Sequence, residues 1–158
     1  MKILVATDGS EYSKAAIDAL ANVVAKPETT AFKIVSSVEF PTMLPTNGFI
    51  MASADYYDQF EKAGHEQSKI SVEHAETQIR SLFPNETLDI TAEVVGGSPQ
   101  RVLVEKAAEW GADLIVIGSH GYGFWSRALL GSVSNSVVHH APCSVLVVRT
   151  SAAETPEK

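Results

Sequence analysis

Asp113-Leu114-Ile115-Val116-Ile117-Gly118-Ser119-His120-Gly121 decides the fold. Four aliphatic residues run without a break and stop on a glycine turn. A strand apolar at every position is buried on both faces, as in a parallel sheet covered by helices. The chain opens the same way: Lys2-Ile3-Leu4-Val5-Ala6 ends abruptly at Thr7-Asp8-Gly9.

Working outward, strands and helices alternate. Ser10 to Ala25 places Ala15, Ala16, Ala19, Leu20, Val23 and Val24 at helical spacing, and Pro27 marks its end. Phe32–Val38 predicts a second strand, followed by a loop with Pro41, Pro45 and Gly48. Ala52 to Leu82 predicts a long helix, with Tyr56, Phe60, Ala63, Ile70, Ala75, Ile79 and Leu82 as candidate buried positions and Gly64 as a break or kink. Leu88–Val95 alternates as a half-buried strand does. Ser98-Pro99 reads as an N-cap followed by proline at the first helical position, and Gly111 after Trp110 as a left-handed cap. Asp113–Ile117 is the fourth strand, Ser132 to His140 a helix stopped by Pro142, and Ser144–Arg149 a fifth strand. This β-α-β-α-β-α-β-α-β pattern predicts a single-domain α/β protein: a parallel sheet joined by right-handed crossovers, with helices on both faces. In such sheets a ligand sits at the carboxyl ends of the strands where the winding reverses. Asp8-Gly9 and Gly118-Ser119-His120-Gly121 occupy two of those ends.

A chain of 158 residues suits one domain and can bury about two-thirds of its unfolded surface. Neither a linker nor an internal repeat divides it, and the polar residues 151–158 read as a flexible C-terminal tail. The longest aliphatic run in the second half, Leu114–Ile117, is far short of a membrane span, and MKILVATDGS meets an aspartate too early for a secretory leader. The expectation is a soluble, cytoplasmic protein without a membrane partner. The formal charge of −7 disfavours a broad nucleic-acid footprint, so an anionic ligand must be held by local dipoles. The single cysteine, Cys143, can form no internal disulfide and reads as a small buried apolar residue.

The segment Gly118 to Ser134, GSHGYGFWSRALLGSVS, is the informative one. Glycine after a strand permits positive φ and lets a ligand approach the backbone. Gly131-Ser132 open an apolar helical run, whose unpaired N–H groups and Ser132 hydroxyl form a phosphate site that needs no lysine. A tight turn followed by a capped helix uses the same residues, so both readings stand here.

The spacing Gly118-x2-Gly121-x9-Gly131-Ser132 resembles the nucleotide motif of the universal stress proteins. Thr7-Asp8-Gly9-Ser10 and the stretch from Ser134 to Val148 extend the similarity to about Arg149. The resemblance implies a universal stress protein domain over 1–150 and a five-stranded open sheet of order 3-2-1-4-5, of the adenine nucleotide alpha hydrolase type. It further implies binding of ATP or another adenine nucleotide with Mg carried by the nucleotide, and a dimeric regulatory role in the stress response. Carried over by position, Thr7 and Asp8 lie beside the ribose or the metal-bound phosphates, the Val38 main chain meets the adenine edge, and Ile117 walls the base. Gly118 and Gly121 let the chain approach ribose and phosphates; Gly131, Ser132 and Val133 offer N–H groups to the phosphates. The strand Ser144, Val145, Leu146, Val147, Val148 pairs antiparallel across a homodimer. A monomer whose edge is covered by Arg149 and the tail is the competing arrangement.

Other residues have plainer readings. Asp8 could simply cap the next helix. His120 could be a general base, but no nucleophile partner is evident. His139 and His140 diverge by about 100° on a helix, too far to share a metal. Arg127 suits solvent or a phosphate; Tyr122, Phe124 and Trp125 suit packing or a partner surface. No protein metal site or catalytic residue stands out. A slow Mg-dependent ATPase or phosphotransferase is the alternative, since phosphoryl transfer needs mainly positioning and charge stabilisation. A phosphoacceptor receiver domain would need adjacent acids near the first strand and a lysine after the fifth, and neither is seen.

Overall fold

In the computed structural model residues 1–39, 54–121 and 130–150 are described, with the side chains of 54–58 and 60 outside the described set. β1 (Lys2–Ala6) is central, and Ile3, Leu4 and Val5 are wholly buried. It pairs in parallel with β2 (Ala31–Val38) on one side and β4 (Leu114–Gly118) on the other. β3 (Asp89–Gly96) lies outside β2, and β5 (Ser144–Val148) outside β4, again parallel. The order β3-β2-β1-β4-β5 is the one expected.

Side chains alternate across a strand, so β1 feeds two cores. Ile3 and Val5 face α1 (Glu11–Asp18), α2 (Leu20–Val23) and α3 (Ala54–Leu82), meeting Ile17, Leu20, Val72 and Ile79. Leu4 and Ala6 face α4 (Pro99–Trp110) and α5 (Ser132–His140), meeting Val102, Leu103, Ala107 and Val137. Each fully buried aliphatic side chain contributes about 1.5–3 kcal/mol, which is why the all-apolar strands sit innermost.

Several local expectations need correction. The helix expected over Ser10–Ala25 is two segments that meet at Ala19, and Val23 is 40% exposed. Helix α3 runs through Gly64 without a break, where an added Cβ would lie 3.0 Å from Val38 Cγ1. Ala63 and Ile70 are exposed; among the described side chains of α3, Ser71, Val72, Ala75 and Ile79 are the buried positions. At about 100° per residue Ala63 and Ile70 fall on the side of α3 roughly opposite Gly64, Val72, Ala75 and Ile79, so they face away from the sheet. Ser98 has the extended backbone of an N-cap, but its hydroxyl caps nothing and is buried without a partner among the described residues. Gly111 is left-handed as expected, with φ 69° and ψ 50°. The Tyr56 and Phe60 side chains, the Pro41–Met51 loop, the cluster of Tyr122, Phe124 and Trp125, Arg127 and the tail lie outside the described residues. Among the described residues no helix is long and apolar enough to cross a membrane.

Candidate functional site

The chain leaves β1 toward β2 and later returns to β4 on β1's other side, so the winding reverses between β1 and β4. At the carboxyl ends of these strands a cleft of about 170 Å³ opens. Roughly 10–15 Å³ of such space holds one water, so the cleft has room for an organic molecule. Its apolar lining is Ala6, Val35, Pro99, Leu103, Ile117 and Val133. Gly118, Gly121 and Gly131 line it too, while Thr7, Asp8, Ser13, Ser37, His120 and Ser134 supply polar groups.

Asp8 is exposed at the end of β1. Its Oδ1 accepts the Ser10 N–H at 2.9 Å. The cap of α1 is Ser10 itself, whose hydroxyl accepts the Ser13 N–H at 3.3 Å. Asp8 therefore shapes the turn and leaves Oδ2 against Gly121, where an added Cβ would lie 2.7 Å from it. Thr7 is buried, and its hydroxyl is engaged internally, accepting from the Gly9 N–H and donating to Ser13 Oγ.

The glycines act by closeness rather than by unusual φ. Gly118, Gly121 and Gly131 have no left-handed backbone; among the described residues the positive values belong to Gly9, Gly97 and Gly111. At Gly118 an added Cβ would stand 2.7 Å from the backbone carbon and oxygen of Tyr12. Its missing side chain thus admits α1, a packing role that the sequence did not suggest. Gly131 N-caps α5 with no side-chain hydrogen bond, and Asn135 N–H makes the bond back to Gly131 O. The N–H groups of Ser132, Val133 and Ser134 hence precede the first intrahelical bond and suit an anion.

Of the expected residues, Thr7, Asp8, Ile117, Gly118, Gly121, Gly131 and Val133 are brought together at the cleft. Val38 and Ser132 are not in its lining. Val35 C=O turns toward β1, accepting the Thr7 N–H, while Val38 C=O turns toward β3, accepting the Gly97 N–H at 2.9 Å. Two-residue alternation gives Ser37 the orientation of Val35, so Ser37 lines the cleft in place of Val38. Ser132 lies exposed on the first turn of α5. Sequence reasoning missed Pro99 and Leu103; the available sign was that α4 starts at the same sheet edge as the other βα turns. It also missed a partner for His120, whose Nδ1 is 3.0 Å from Ser119 Oγ. Ser119 is only 2% exposed and is absent from the lining, so its hydroxyl does not meet the cleft.

Outside the cleft, burial pushes up the pKa of the half-buried Cys143 thiol, and the Asp113 carboxylate adds to that. Such a thiol stays protonated and unreactive. His139 and His140 turn Nδ1 to the carbonyls of Asn135 and Ser136. Among the described residues no three metal-ligating side chains gather.

The family profile described as "Universal stress protein family" matches residues 1–149. The chain belongs to the universal stress protein family. A universal stress protein of Staphylococcus haemolyticus is 34% identical over 158 residues, covering 98% of this chain and 87% of that one. The structure of a universal stress protein from Lactobacillus plantarum superposes with a TM-score of 0.75 at 21% identity, covering 94% of this chain and 97% of that one. A universal stress protein crystallised in complex with cAMP superposes with a TM-score of 0.62 at 27% identity, covering 96% and 98%. This universal stress protein thus has the family's sheet, with its cleft at the reversal of the winding.

Proposed function

We propose that this universal stress protein binds an adenine nucleotide in the cleft between β1 and β4 and acts as a dimeric, nucleotide-dependent regulator in the stress response. The observation that carries the reading is the α5 N-terminus, which lacks a side-chain cap and opens beside Gly121 at the sheet's switch point. The relative in complex with cAMP supports it. The base lies against Val35, Leu103 and Ile117, with Ser37 at its edge. Asp8 stands beside the ribose. Ser132, Val133 and Ser134 direct N–H groups at the phosphate, where the helix dipole favours negative charge; the Gly131 N–H, expected to join them, is instead donated to Ser119 O at 2.8 Å. ATP brings Mg with its phosphates, and the ion supplies charge neutralisation that the acidic chain lacks.

Dimer formation uses β5, an edge strand whose Val145 to Val148 are half-buried within one chain. A second copy pairing there would satisfy the outward backbone groups of an uncharged edge.

Calorimetric titration with ATP, AMP and cAMP, with and without magnesium, tests the reading. Micromolar binding that disappears on substituting Gly131 with a bulky residue is the expected result. No binding of any of the three would defeat it. The alternative, a slow Mg-dependent ATPase or phosphotransferase, predicts ADP or AMP release by purified protein. Bound ATP recovered unchanged after long incubation would set it aside.

A further inference from the structure

We propose that the Ser37 hydroxyl selects the base, accepting a hydrogen bond from the exocyclic amino group of adenine, so that this chain prefers an aminopurine to a purine bare at that position; this rests on the nucleotide reading above. The other polar side chains of the cleft are spent within the fold. The Thr7 hydroxyl accepts from the Gly9 N–H and donates to Ser13 Oγ at 3.3 Å. Ser13 Oγ donates in turn to Ser10 O at 2.9 Å. Ser134 Oγ is shared between Ser119 O at 2.9 Å and Gly131 O at 3.0 Å. His120 turns Nδ1 to Ser119 Oγ, and Asp8 Oδ1 holds the Ser10 N–H. Ser37 differs. It lines the same cleft, is half-buried, and its hydroxyl has no hydrogen-bond partner among the described residues.

Strand register explains why that hydroxyl is left over. Strand β1 ends at Ala6, opposite Val35. β2 runs on to Val38, so Ser37 stands past the end of β1. Its side chain shares the face of Val35 and of its ladder partner Val95, both in the core under α4. It therefore faces the α4 side of the sheet, where Val35, Pro99 and Leu103 wall the cleft.

The sheet order sets which part of the ligand reaches it. The α5 N-terminus joins the turn after β4, where the Gly131 N–H donates to Ser119 O at 2.8 Å. β2 and β4 flank β1, so they lie two strand spacings apart, about 10 Å. A nucleotide whose phosphate meets the first-turn N–H groups of α5 must cross the end of β1 to reach Ser37. Its far end is then the six-membered ring of the base. The donor there is the exocyclic amino group, and a serine hydroxyl supplies the acceptor. An uncharged hydroxyl adds this contact without the cost of burying a charge. Half-buried, it exchanges water for ligand, so the gain is that of one net hydrogen bond, about threefold to tenfold in affinity.

Titration calorimetry on the full chain compares AMP with the same nucleotide carrying hydrogen in place of the exocyclic amino group. The native chain should bind AMP about threefold to tenfold more tightly. Ser37→Ala should weaken AMP to the level of its analogue and leave the affinity for the analogue as it was. Ser37→Thr, which keeps the hydroxyl and suits a strand, should keep the preference. Both substitutions leave the main chain in place, so the comparison isolates the side chain. A native chain without the preference overturns the proposal, as does a preference undiminished in Ser37→Ala or absent from Ser37→Thr. An equal loss of both nucleotides in Ser37→Ala also overturns it, since packing alone would do that. If the native chain binds neither nucleotide, the nucleotide reading itself has failed.

Discussion

Gly118 and Gly121 are three residues apart and bare for different reasons. A Cβ at Gly118 would lie 2.7 Å from the main chain of Tyr12, which cannot yield without moving α1. Gly118→Ala should therefore destabilise the fold by about 1–3 kcal/mol, as overpacking does, seen as a lower urea midpoint. At Gly121 the obstacle is Asp8 Oδ2, also at 2.7 Å, the end of a side chain that can swing away. Gly121→Ala should change stability by less than about 0.5 kcal/mol. It should weaken adenosine binding about threefold or more, since the displaced carboxylate loses its hydrogen-bonding position. Equal unfolding midpoints for the two variants would refute this division. The glycine spacing was legible in the sequence. The division was not, because it depends on what each Cα faces across the fold.

Helix α4 shows how an element can serve both packing and site. Leu103 is 4% exposed, belongs to the core under α4 and lines the cleft. Leu103→Ala should cost about 2–4 kcal/mol in unfolding experiments. It should also weaken adenosine and cAMP by the same factor, since it touches the base end and not the phosphate. A larger loss for cAMP than for adenosine would place the base elsewhere. Edge strand β5 makes a different test. Val147 is half-buried there and packs toward the α4 and α5 face. If two chains meet along β5, Val147→Lys should turn a dimer into a monomer by light scattering while the far-ultraviolet dichroism is kept. A native chain that already runs as a monomer would remove the dimer from the proposal. The element sequence could be read because period-2 and period-3.6 patterns are local. The buried face of α3 could not, because Ile70 is apolar but sits on the side of the helix turned from Val72 and Ile79.

For the molecule as a whole, acid stability has a definite sign. Glu93 on β3 bonds Lys33 at 3.0 Å and stands 3.4 Å from Lys106 of α4. Burial alone would raise the Glu93 pKa, but Lys33 and then Lys106 outweigh it and hold the pKa below the ordinary 4.5. A carboxylate depressed in the folded state adds stability above its ordinary pKa and loses it as the pH falls through the folded value. Glu93→Gln should therefore lower the melting temperature at neutral pH and leave it little changed in strong acid. A constant offset at every pH would show that charge is not the cause. These three residues tie strand β2, edge strand β3 and helix α4 together, a link invisible in a sequence that separates Lys33 from Glu93 by 60 positions.

By itself the sequence determined the alternation of elements, the parallel sheet and the glycine turn at its switch point. Each follows from short-range facts: all-apolar strands demand two covers, and crossovers have one hand. Only the tertiary structure decided which residues share the cleft. Ser37 replaces Val38 because a strand's backbone faces alternate neighbours, and Pro99 and Leu103 enter because α4 packs over β1 and β2. His120 found Ser119 through the turn's own conformation. Those outcomes depend on direction and packing across the chain, which residue order alone does not encode.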